Sequence, residues 1–168
     1  MIYTALVLIL TGCCISVRSA NQRETAISAE EFVTLCKAHH FEVIDTDYSN
    51  DSGVSIKLTA AENYKGNNKP HTSYLAHKGD PTLVEFHQFS TSNEARAEYD
   101  NNVRGVKVFG SYNNGKFYQD SGSNWSRALV FAPGQTKIVS YKGNTLVIIQ
   151  DYAGERVEMS KFMKDLGY

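Results

Sequence analysis

Apolar positions recur with two periods along this chain, and each switch between them marks an element. The first apolar run, Ile2 to Thr11, is interrupted only by Thr4 and ends in Thr11; it is too short to span a bilayer as a helix. Helical spacing begins after a polar stretch. Ser28-Ala29-Glu30-Glu31 reads as a capping box, Ile27 is placed to staple onto Phe32, and Phe32, Leu35 and Cys36 share one face. Period two follows. Phe41 to Asp47 sets Phe41, Val43 and Asp45 against Ile44, and Val54, Ile56 and Leu58 alternate in the same way. The turn-rich Tyr48 to Gly53 separates them, and a polar loop runs from Asn63 to Pro70. His71 to His77 and Thr82 to Phe89 read as a hairpin through Lys78-Gly79-Asp80-Pro81.

The second half repeats this grammar. Thr91-Ser92-Asn93-Glu94 is another capping box and opens a helix through about Asn102, with Ala95 and Tyr99 inward. Val106 to Tyr112 reads as a strand, Asn114-Gly115 as a type I′ turn, Lys116 to Gln119 as the returning strand and Asp120 to Asn124 as a loop. Three strands come next. Trp125 to Phe131 and Thr136 to Tyr141 are joined by Pro133-Gly134, and Lys142-Gly143-Asn144 leads into Thr145 to Asp151. Leu146 to Ile149 is apolar without a break, so both faces of that last strand are expected to be covered. Met159, Phe162, Met163 and Leu166 then recur at i, i+3, i+4 and i+7, with Gly167 as the C′ residue and Tyr168 as its apolar partner. Short hairpins imply an antiparallel sheet. The expected fold is α+β: one domain, a mostly antiparallel sheet, and three helices packed on it. Each half runs helix then hairpins, but no residue-level repeat accompanies that order.

Composition narrows the class. The 168 residues suit one domain, and 42% hydrophobic content excludes a disordered chain. Seventeen basic against 18 acidic residues leave a net charge of −1, which is no footprint for nucleic acid. Of three cysteines, Cys13 and Cys14 lie near the N-terminus, so only Cys36 belongs to the body and no internal disulfide framework is available. Cys36 reads as a small core residue.

The first apolar run ends in Leu10-Thr11-Gly12-Cys13. This resembles the bacterial lipobox, and the resemblance implies that Cys13 is lipidated and becomes the first residue of the mature chain. Residues 1–12 are then a signal peptide, 13–26 a polar tether and 27–168 the globular domain. No Lys or Arg precedes the apolar run, a departure from the usual signal pattern. A conventional cleavage near Ala20 would place Arg18 at −3, where a small residue belongs. A cytosolic domain that buries the run is the remaining alternative.

The layout also resembles small lipoproteins of unknown function from Firmicutes, especially gut anaerobes. Four segments carry the resemblance: the lipobox, Ile27 to Phe32, Lys142 to Leu146, and the closing Phe162 to Tyr168. Tyr112 to Asn124 is longer than that pattern. The resemblance implies attachment to the cell membrane facing outside the cytoplasm, and no activity.

Candidate chemistry is sparse. Asp45 to Asp51 spaces oxygens like the start of a calcium loop, but Asn50 replaces the turn glycine and Ile56 the bidentate glutamate. His39, His40, His71, His77 and His87 show no zinc spacing, and no metal or cofactor is expected. Gly110 to Gly115 lacks the residues and context of a phosphate loop, and Cys36 sits on a helix face rather than a strained turn. Glu85 and His87 share a strand face and offer a His/acid pair for a secreted hydrolase. The stronger candidate is a non-catalytic contact surface. Tyr112, Phe117, Tyr118 and Trp125 surround Asn-rich turns and suit an envelope protein, a peptide or a glycan, although half-buried sheet aromatics have the same appearance.

Overall fold

A computed structural model describes residues 26–45, 67–68, 70–78, 82–152 and 156–168. In chain order these form α1 (Ala29–Ala38), β1 (Glu42–Asp45), β2 (Thr72–Lys78), β3 (Thr82–Gln88), α2 (Ser92–Tyr112), β4 (Lys116–Ser121), β5 (Trp125–Ala132), β6 (Gln135–Lys142), β7 (Thr145–Asp151) and α3 (Arg156–Leu166). The leader, most of the tether, the 54–58 strand, the calcium-like run beyond Asp45 and most of the polar loop lie outside the described residues.

All seven strands join one sheet in the order β1-β2-β3-β7-β6-β5-β4, and every neighbouring pair is antiparallel. The fold is α+β in one domain, as the alternation implied. Two meanders, β1 to β3 and β4 to β7, meet where β3 pairs with β7, with Phe86 opposite Val147. Side-chain alternation gives each strand two destinations. Val147 and Ile149 enter a front core with Phe32, Cys36, Phe86, Met159 and Phe162 from α1, β3 and α3. Leu146 enters a back core with Tyr99, Val103 and Val106 from α2. Burial in the front core pushes the Cys36 thiol up to about 12, as suits a packing residue.

Both capping boxes form. Ser28 accepts from the Glu31 amide and Thr91 from the Glu94 amide, each at 3.2 Å. The helices also end alike. The amide two positions past the cap returns to a carbonyl of the last turn: Phe41 to Cys36 at 2.8 Å, Gly115 to Gly110 at 2.8 Å and Tyr168 to Met163 at 2.9 Å. The intervening residues, His40, Asn114 and Gly167, take left-handed φ values of 63°, 52° and 85°.

One stretch differs from the sequence reading. Val106 to Tyr112 is no strand; α2 continues to Tyr112, ten residues beyond Asn102. Its β-branched residues and two glycines resemble a strand pattern, but Ala95, Tyr99, Val103, Val106 and Gly110 form one buried helical stripe. Gly110 lets the helix approach β5, where an added Cβ would lie 3.0 Å from Val130 Cγ2. Asn114 uses its left-handed conformation to end this helix instead of turning a hairpin. Lys116 to Ser121 therefore opens the next hairpin, pairing with β5, and Asp120 and Ser121 belong to strand rather than loop.

Among the described residues His40 is the β-carbon-bearing one with the largest left-handed φ. His40→Gly is expected to raise unfolding free energy by up to about 1 kcal/mol, and Gly167→Ala to lower it by about the same. Urea denaturation midpoints at constant slope check both.

Candidate functional site

Sheet width against helix width locates the open surface. Seven strands span six gaps of about 4.8 Å, roughly 29 Å, whereas a helix with its side chains covers about 10 Å. The two front helices therefore leave about two strands bare. Phe32 of α1 stacks on Phe86 of β3, with centroids 4.7 Å apart. α3 crosses from Lys78, which pairs with Glu158, to Lys142, whose Nζ donates to the Gly167 carbonyl at 3.1 Å. Among the described residues, the strands whose front no helix covers are β4 and β5.

Their register sets the lining. Lys116 faces Phe131, Tyr118 faces Leu129, and Asp120 faces Arg127. A groove of about 430 Å³ is lined by Tyr118, Gln119, Asp120, Arg127, Leu129 and Phe131. The Tyr118 and Phe131 rings lie 6.0 Å apart, and Tyr118 is 47% exposed. Arg127 donates from Nε to Asp120 Oδ1 at 3.2 Å and from Nη2 to Oδ2 at 2.7 Å. An ion pair this exposed contributes little stability. It does fix a planar guanidinium beside an aromatic floor, an arrangement that offers apolar contact and directional donors together.

The opposite side of β4 is tied down. Phe117 lies under the Lys107 ammonium, 5.2 Å from ring centroid to Nζ, and Gln119 Nε2 donates to the Tyr99 hydroxyl at 3.2 Å. Burial raises the Tyr99 hydroxyl to about 12, against the smaller lowering effect of that hydrogen bond. Both contacts reach α2, so the strand presents its front side chains from a fixed backbone.

The four aromatic candidates separate accordingly. Tyr118 lines the groove. Trp125 shares its face but sits beyond Arg127 at the far end of β5, its indole against Gly122, where an added Cβ would meet Nε1 at 2.2 Å. Phe117 points to the other face. Tyr112 ends α2, 84% exposed and outside the groove. Arg127, Leu129 and Phe131 were missed, although their signal is plain: with Trp125 they repeat every second residue.

Glu85 and His87 do lie on one face, and Ser73 joins them. Ser73 Oγ is 3.1 Å from His87 Nδ1, and His87 Nε2 is 3.4 Å from Glu85 Oε2. These are the residue types of a nucleophile, a base and an orienting acid. Access decides against catalysis: His87 is 0% exposed and Ser73 6%, so a substrate carbonyl cannot reach the hydroxyl. The trio instead satisfies a buried imidazole. Among the described residues no group of three His, Cys, Asp or Glu is placed to hold a metal.

No protein-family model and no curated protein matches the chain. Among solved structures it is similar to a GTP-binding regulator from Thermotoga maritima, with a TM-score of 0.51 and 10% sequence identity over 89% of this chain and 93% of that one. At that identity the likeness concerns the fold alone, and it agrees with the α+β architecture.

Ser73→Ala is expected to lower unfolding free energy by about 1–2 kcal/mol, since it removes a hydrogen bond from a buried ring. A fluorophosphonate probe is expected to leave the intact mass of the native chain unchanged; an adduct on Ser73 would reinstate the hydrolase reading.

Proposed function

We propose that this protein is a lipid-anchored, extracytoplasmic binding module that catalyses no reaction and holds its partner on the open face of β4 and β5. The observation that carries this reading is the uncovered groove, where Tyr118, Leu129 and Phe131 lie beside the Arg127–Asp120 pair. Aromatic and arginine side chains at such a site are the groups that dominate binding energy in protein contacts. The partner is an envelope protein, a peptide or a glycan.

The anchoring half of the proposal rests on Leu10-Thr11-Gly12-Cys13. No helix among the described residues is long and apolar enough to cross a membrane. One acyl chain binds membranes only marginally, so stable attachment needs the two or more chains that the lipobox resemblance implies at Cys13.

Two measurements test these halves separately. The native protein from a membrane fraction is expected to have a mature mass beginning at Cys13 plus lipid, lost in Cys13→Ser; an unprocessed soluble chain would remove the anchoring. Tyr118→Ala with Phe131→Ala is expected to abolish partner capture from solubilised envelope with little change in Tm. Tyr112→Ala, outside the groove, should leave capture intact. Equal loss in both would refute the groove as the contact site.

A further inference from the structure

Among the described residues β4 ends the sheet and no strand pairs with its outer edge; Lys116, Tyr118, Gln119, Asp120 and Ser121 are all exposed. Natural edges are protected by proline, by bulges or by charged side chains, and the charges on β4, Lys116 and Asp120, are of opposite sign. β4 contains no proline and pairs with β5 in unbroken register from Lys116 to Ser121. The direction of its backbone groups follows from the hairpin. Gly122 donates to the Trp125 carbonyl at 2.9 Å, which makes that a hydrogen-bonded pair. Counting back by alternation, Asp120, Tyr118 and Lys116 bond inward to β5, while Phe117, Gln119 and Ser121 turn their N–H and C=O groups outward.

We propose that this edge pairs with the same edge of a second copy, giving an antiparallel dimer with one continuous sheet. Closure fixes most of the geometry. A two-fold axis between antiparallel edge strands must stand perpendicular to the sheet, so front residues face front residues and only even register sums are allowed. Centring on Asp120 opposes two like charges. Centring on Gln119 places Tyr118 opposite the partner's Asp120, and centring on Phe117 overlaps little more than one turn of pleat. Centring on Tyr118 places Lys116 opposite the partner's Asp120, and Asp120 opposite the partner's Lys116. In that register Phe117 and the partner's Gln119 exchange both backbone bonds, as do Gln119 and the partner's Phe117. The outward groups of Phe117 and Gln119 are thereby satisfied.

Charge complementarity is what selects the second copy as occupant. Asp120, already held by Arg127, lies between two cations, and Tyr118 meets the partner's Tyr118 at the axis as a close non-hydrogen-bonded pair. The two grooves then run together across the axis. This inference stands on the β4 edge and is independent of lipidation and of partner capture.

Sedimentation velocity of the full-length chain in non-ionic detergent, with Cys13→Ser beside it, reads the association. A dimer is expected for both. Lys116→Asp and Asp120→Lys are each expected to weaken it about tenfold or more, because each sets like charges opposite at both symmetric pairs. Their equimolar mixture should dimerise again, since every pair then opposes an acid to a base. Tyr118→Cys, in a chain also carrying Cys13→Ser and Cys14→Ser, should form a disulfide-linked dimer under mild oxidation, and Phe117→Cys should not. A chain that stays monomeric at every concentration would overturn the proposal. So would a dimer indifferent to both charge reversals and unlinked through position 118. A monomer that still captures its partner would sink the dimer alone and leave the binding reading standing.

Discussion

The β3–β7 pairing is the contact on which the rest of the molecule depends. Each flanking meander is local and would form a small sheet with two exposed edges. Joining them places β7 in the middle, with apolar side chains on both of its faces: Val147 and Ile149 in front, Leu146 and Ile148 behind. A strand apolar on both faces cannot leave either to water. Helices must therefore lie on both sides of the sheet, and the long α2 and the paired α1 and α3 supply them. The closing helix is fastened at its end by Lys142 bonded to the Gly167 carbonyl and by Tyr168 bonded to Thr145. Both β-strand partners flank the β6–β7 turn, so the same seam that demands the helix also holds it.

Most of this architecture was legible from local signals. Ser28 and Thr91 opened helices because the capping chemistry is contained in four consecutive residues. Gly167 closed one because its left-handed conformation is a property of the residue itself. Leu146 to Ile149 announced a doubly buried strand. The misreading fell where local signals are degenerate. Asn114 favours a left-handed conformation in a hairpin turn and at a helix end alike, so Asn-Gly cannot distinguish them. Gly105 and Gly110 lower helix propensity, but Gly110 is required by Val130, which lies on β5 and twenty residues away in sequence. Tertiary packing overrode propensity there.

The candidate surface was legible only in part, and for a different reason. Aromatic content picked out Tyr118, but a strand distributes consecutive aromatics to opposite faces, so Phe117 was lost to α2. Arg127, Leu129 and Phe131 carry a plain period of two. What the period cannot tell is which face a helix leaves bare. That depends on the width of the whole sheet and on where α1 and α3 come to rest, neither of which any short segment records. The Ser73–His87 contact was invisible for a similar reason, since it joins residues from two strands whose register is set by the β2–β3 hairpin.

The position of the tether bears on how such a surface would be used. Ala26, the first described residue, lies against Gly143 of the β6–β7 turn, where an added Cβ would meet its side chain at 3.2 Å. The Gly143 amide in turn donates to the Asn124 carbonyl at 2.9 Å, beside Trp125 at the start of β5. The chain thus enters the domain at one end of the strands. Phe131 and Lys116 lie at the other end, next to the β5–β6 turn. A tether from Cys14 to Ala26 can reach about 40 Å when extended, far enough to lift the domain clear of headgroups. The groove runs along the strands between these two ends, from Asp120 and Arg127 near the point of entry to Phe131 far from it.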